Sequence, residues 1–70
     1  MNATTQSSGQ ATRERLLQAA ARIVARDGME AATTAAIAAE AGVAEGTLYR
    51  HFDSKDDLLI ASYRQMKQEV

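Results

Sequence analysis

The sequence predicts an all-α domain: a three-helix helix-turn-helix unit followed by the start of a fourth, linking helix. Three observations predict it. Apolar residues recur at helical spacing between Leu16 and Val24 and again from Leu59 to Val70. Gly28 and Gly42 stand where one such run stops and the next is about to begin. The stretch between Ile37 and Phe52, IAAEAGVAEGTLYRHF, breaks around Gly42-Val43 into two short runs. Two short helices joined by a three- or four-residue turn containing Gly form the pattern whose second helix can enter the major groove of DNA.

The first helix is expected from about Arg13 to Asp27, with Thr12 as its N-cap. Leu16, Ala20, Ile23 and Val24, flanked by Leu17 and Ala21, make its apolar stripe, and Arg15, Gln18, Arg22 and Arg26 occupy the other side. Arg22 and Arg26 read as a solvated face. Gly28 stops the helix, and Arg26 in its last turn faces the negative end of the helix dipole. Residues 1–11 are polar and aperiodic, the composition of a disordered arm; an arm ending in Arg13 and Arg15 would be one that reaches DNA.

Met29 is expected to fold back onto the core from the connector that follows. Thr34 reads as the N-cap of a second helix, about Ala35 to Ala41. A helix start also presents free N–H groups suited to phosphate. Gly42 must let the chain swing by roughly 90–120°, which favours a residue tolerant of positive φ. Val43 is apolar within the turn and plugs the angle between the helices. A third helix follows, about Glu45 to His51, in which Leu48 and Phe52 share a face and meet Ile37 and Ala41. Its cap position, Ala44, offers no acceptor, and Glu45 compensates by placing an anion at the positive helix end. The outward face carries Glu45, Gly46, Thr47, Tyr49, Arg50 and His51, with a slim residue near its start that lets a backbone approach another surface closely. Ser54-Lys55-Asp56-Asp57 resembles a capping box for the fourth helix. Leu59, Tyr63, Met66 and Val70 form a stripe there, and the helix runs to the end of the chain without a stop signal, as expected of a helix leading into further sequence.

Seventy residues allow one small domain, which buries only about 60% of its unfolded surface. Large apolar side chains are few, since much of the 46% hydrophobic fraction is Ala. Without Cys there is no disulfide framework and no thiolate metal site. No apolar run approaches the ~18 residues of a membrane span, and the first ten residues lack the basic start and apolar centre of a signal peptide. A cytoplasmic location is the expectation. The net charge of −1 runs against a uniform nucleic-acid surface, so a footprint depends on placement: Arg13, Arg15, Arg50, His51 and Lys55 on one side, with Glu45 and Asp53 fitting less neatly.

With these residues in view, the run TTAAIAAEAGVAEGTLYRHFDSKDDLL resembles the N-terminal DNA-binding domain of TetR-type bacterial transcriptional regulators. The likeness covers about Thr12 to Leu59 and rests on a set of motifs: the Thr-Thr pair, Ile-Ala, the Ala-Gly-Val turn, Gly-Thr-Leu-Tyr, His-Phe, and the Lys before the fourth helix. It implies a DNA-binding head over residues 12–53. It also implies a linking helix over residues 54–70 that leads to a C-terminal domain outside these residues, where the chain dimerises and binds a small-molecule effector. It implies that Tyr49, His51 and Lys55, with Thr33 and Thr34, touch phosphates. Ala35, Ala44, Glu45, Gly46, Thr47 and Arg50 fall on the face towards bases or the adjoining backbone. The implied partners are double-stranded DNA with a near-palindromic operator and a second copy of the chain; repression relieved by the effector is the implied regulation. Two departures narrow the reading. Ala35 cannot hydrogen-bond a base, and Ala44 stands where Ser is common. Glu45 can accept from a cytosine amino group but is repelled by phosphate, and Arg50 suits guanine or phosphate.

An enzyme is not expected, and no cofactor is implied: there is one His, no Cys, no phosphate-cradling glycine loop, and adjacent Asp56 and Asp57 point about 100° apart on a helix. The competing class is a small helical protein-interaction module that offers the Leu59/Tyr63/Met66/Val70 face to a partner helix.

Overall fold

The computed structural model describes residues 8–68. Its elements are α1 (Ser8–Asp27), a 3-10 turn (Met29–Ala31), α2 (Thr34–Ala41), α3 (Glu45–His51) and α4 (Lys55–Gln68). There is no strand among the described residues, and the all-α expectation holds.

Helix α1 begins earlier than its apolar stripe. It starts at Ser8, so residues 8–11, expected in the disordered arm, are helical, and Thr12 lies in the second turn rather than at the cap. The segment SGQA has no apolar period for a sequence reading to follow, yet nothing in it breaks a helix. The rest of that arm, residues 1–7, lies outside the described residues, as do residues 69–70.

One core joins all four helices. Leu16, Leu17, Ala19, Ala20 and Ile23 from α1 meet Ile37 and Ala38 from α2, Leu48 from α3, Phe52, and Leu58 from α4. Each fully buried large aliphatic contributes about 1.5–3 kcal/mol relative to exposure. Ala32 is also wholly buried, whereas Met29 is 60% exposed. The connector therefore supplies its small residue to the core, not its large one. The cause is the 3-10 turn, closed by Ala31 N to Gly28 O (3.1 Å) and Ala32 N to Met29 O (3.1 Å), which turns Met29 outward. Gly28 enables this turn with φ 98° and ψ 161°, a conformation essentially reserved for glycine.

Helix α4 faces the core with Leu58, which lies beside the stripe expected to meet a partner; the Met66 side chain lies outside what is described. Leu59 is only partly buried and Tyr63 is 59% exposed, as is Ile60 at 53%. Val70 is beyond the described residues. Ser54 caps α4 as its motif suggests, its Oγ accepting from Asp57 N at 3.3 Å. Gln65 Nε2 donates to Glu14 Oε1 at 2.8 Å and ties α4 to the start of α1.

Arg22 and Arg26 are exposed as expected, but they are also paired. Arg22 Nε lies 3.1 Å from Glu40 Oε2, and Arg26 donates through Nη2 to Glu40 Oε1 (3.3 Å) and through Nε to Asp27 Oδ2 (3.0 Å). Glu40 thus clips the end of α2 to the last turns of α1. The hydrogen bonds from Arg26 and then Arg22 hold its carboxyl below the usual value of 4.5.

Candidate nucleic-acid interface

The interface is built by two helix starts and the bend between them. Helix α2 is capped by Thr33, not Thr34. Thr33 has the extended backbone of a cap (φ −81°, ψ 162°), and its Oγ1 accepts from Ala36 N at 3.1 Å. Its own carbonyl takes the first helical bond, from Ile37 N at 2.9 Å. Thr34 is thereby the first helical residue, and its hydroxyl is released for another partner.

The helix ends at Gly42, which is left-handed with φ 79° and ψ 30°. Gly42 N bonds Ala39 O at 3.1 Å and Val43 N bonds Ala38 O at 3.0 Å. This paired arrangement is the Schellman motif, and Val43 packs against the core as its apolar companion. Ala44 then takes an extended conformation without a side-chain cap, and α3 begins at Glu45. Both ends of α3 agree with the sequence reading. Phe52 closes it, its N–H bonding Leu48 O at 3.1 Å.

Because Leu48 and Phe52 are buried beneath α3, the opposite side must be open. Ala44, Glu45, Gly46, Tyr49 and Arg50 are exposed; Thr47 and His51 are intermediate. At Gly46 an added Cβ would meet nothing within 4 Å, so its slimness serves no packing need inside the chain. At the start of α2, Thr33 and Ala35 are exposed and Thr34 is intermediate, and Lys55 is intermediate at the start of α4.

Three of these residues form a chain of hydrogen bonds. Tyr49 Oη donates to Thr34 Oγ1 at 3.3 Å, and Thr34 Oγ1 donates to Glu45 Oε2 at 2.6 Å. The short second bond is in the range of a hydroxyl on an ionised carboxylate. Sequence reading placed all three on the surface but not in contact, since Thr34 and Glu45 are eleven residues apart and only the bend brings them together. Arg13, expected on the same side, stacks its guanidinium 5.2 Å above the Phe52 ring, which sets the first turns of α1 beside the end of α3. Among the described residues no cluster of His, Cys, Asp or Glu is suited to a metal, and no helix is long and apolar enough to cross a membrane.

The profile of the bacterial regulatory proteins, tetR family, matches residues 16–62, two thirds of the chain, which takes in α2, the bend, α3 and the adjoining parts of α1 and α4. The chain belongs to this family. It is similar to the HTH-type transcriptional regulator UidR of Escherichia coli (strain K12), 41% identical over 65 residues, which are 93% of this chain and 33% of that protein. It is also similar to the fatty acid metabolism regulator protein of Bacillus subtilis (strain 168), 36% identical over 50 residues, 71% of this chain and 26% of that one. A further relative is the nucleoid occlusion factor SlmA of Yersinia enterocolitica, 52% identical over 44 residues, 61% of this chain and 22% of SlmA. The chain spans a third or less of the length of these curated relatives. No solved structure gives a significant match. As a tetR-family chain, it carries the helical helix-turn-helix domain of these bacterial regulatory proteins.

Proposed function

We propose that this chain is the DNA-reading head of a tetR-type regulator, with α3 lying in the major groove of a specific operator. One observation carries the reading: α3 buries Leu48 and leaves Glu45, Gly46, Tyr49 and Arg50 open on its far side, at the end of a bend fixed by Gly42. Thr33, Thr34, Tyr49, His51 and Lys55 take phosphates on either side of the groove, and they position the head without reading sequence. Ala44, Gly46 and Thr47 lie against the bases or adjoining sugars, Ala35 adds only an apolar contact, and Arg50 and Glu45 supply the charged groups for base edges. A bidentate Arg50–guanine contact contributes about 1–3 kcal/mol of discrimination.

One head covers only a few base pairs. In the intact regulator two copies present their α3 helices about 34–36 Å apart in successive major grooves, so the operator is a near-palindrome. Dimerisation and the effector site reside in sequence that α4 leads into, and the partly open Leu59, Ile60 and Tyr63 are covered there. Effector binding changes the spacing of the heads through α4 and releases DNA, so the regulator is a repressor, acting in the cytoplasm where its DNA partner is.

The test is selection of preferred duplexes from a random pool with the intact protein, followed by titration against salt. A DNA-binding head gives an enriched near-palindrome and an affinity that falls steeply with salt, because each neutralised phosphate releases counterions. Arg50→Ala lowers affinity for the selected site more than for random duplex if Arg50 reads a base; equal losses assign it to phosphate. A protein-interaction module built on the α4 face shows no binding to any duplex at low salt.

A further inference from the structure

The bond between Thr34 and Glu45 spends a proton that DNA would need. A threonine hydroxyl has one proton to donate. That proton points at Glu45 Oε2 across 2.6 Å, while Tyr49 Oη donates to the same Thr34 oxygen from the other side at 3.3 Å. The Tyr49 bond occupies the hydroxyl's accepting side and leaves its proton to the carboxylate. The acceptor is an anion, held at the junction of two helix starts, and it is attached to the chain itself.

We infer that Glu45 acts as an internal stand-in for a DNA phosphate: it occupies the Thr34 hydroxyl in the free protein and so weakens the phosphate-driven part of binding to any duplex. The inference rests on the DNA-reading function proposed above. A phosphate oxygen approaching Thr34 competes with the Glu45 carboxylate for one proton, and the two anions repel each other at close range. Any duplex must break the Thr34–Glu45 bond before it gains the Thr34–phosphate bond, so the exchange yields little net free energy. Contacts to bases are then needed to tip the balance, and these only the correct site supplies. The short helix-turn-helix thus carries a fixed penalty on its Thr34–phosphate contact, which holds random-duplex affinity low and which base contacts at the correct site outweigh.

A double-mutant cycle separates this exchange from simple charge removal. Affinity for random-sequence duplex is measured by fluorescence anisotropy at fixed low salt for the full chain, Glu45→Ala, Thr34→Val, the double variant, and Thr34→Ser with and without Glu45→Ala. The fold of each is checked by circular dichroism. Stand-in behaviour predicts that Glu45→Ala raises affinity about fivefold when residue 34 carries a hydroxyl, Thr or Ser, and less than about twofold in the Thr34→Val background. Equal gains in all three backgrounds mean that Glu45 acts only by its charge, which overturns the inference. No gain, or a loss, in the Thr background overturns it as well. If the unsubstituted chain and every variant fail to bind duplex at low salt, the DNA-reading function itself is refuted, a result distinct from both of the others.

Discussion

The amide of Val43 reaches back to the carbonyl of Ala38 across 3.0 Å, spanning Gly42. That bond closes α2 and aims the chain into α3, so the direction of the exposed α3 face depends on one residue in the left-handed region. Around Gly42 an added Cβ would meet nothing within 4 Å, and the cost of a side chain there is conformational alone.

Gly42→Ala is therefore expected to lower stability by about 1–2 kcal/mol, the cost of an L-residue in the left-handed region. Urea denaturation followed by circular dichroism measures it. The two-state slope should be unchanged while the midpoint falls.

Thr33 and Thr34 differ in a way that adjacent identical residues conceal. Thr33→Ala removes the Ala36 N–H acceptor and should cost about 0.5–2 kcal/mol. Thr34→Ala removes two exposed side-chain bonds, from Tyr49 and to Glu45, but no cap, so its thermal midpoint should fall by clearly less. Paired thermal melts of the two variants check the order.

Much of the fold was legible because its signals are local. Both limits of α3, the Gly42 stop, the Ser54 cap and the burial of Ile37, Leu48 and Phe52 follow from spacing and turn chemistry within a few residues. What was not legible depends on geometry beyond that range. Two successive threonines fit a cap equally well until backbone angles choose Thr33. Met29 carries the larger apolar side chain, yet a 3-10 turn gives the core Ala32. The apolar period of α4 marked the stripe through Leu59 and Tyr63 for a partner, but it left open that the adjacent Leu58 is the residue wholly buried in the core. Within the candidate interface, the exposed face of α3 was readable from its buried face. The Tyr49–Thr34–Glu45 chain was not, since it exists only once the bend has joined two helix starts.

Glu40 supplies a pH signature. Its bonds to Arg26 and Arg22 hold its folded-state carboxyl below 4.5, so the folded chain binds that proton less readily than the unfolded one. The stabilisation is fully present above 4.5 and is lost as pH falls through the depressed folded value. Thermal melts of the chain and of Glu40→Gln should differ by a constant amount from about pH 6 to pH 8 and converge in acid. A gap that persists at the lowest pH contradicts the assignment. High salt should also narrow the gap, because the pairs are exposed.

The central claim, that the open side of α3 fits against DNA, is tested most directly at Gly46. The site has room for a side chain and lies in a helix, so Gly46→Leu should leave the fold intact and raise the thermal midpoint slightly. The same side chain would stand between α3 and the groove. Measured by anisotropy on the selected operator with the intact protein, affinity should fall at least about tenfold, the equivalent of 1.4 kcal/mol. An unchanged affinity in a correctly folded Gly46→Leu protein would contradict the account.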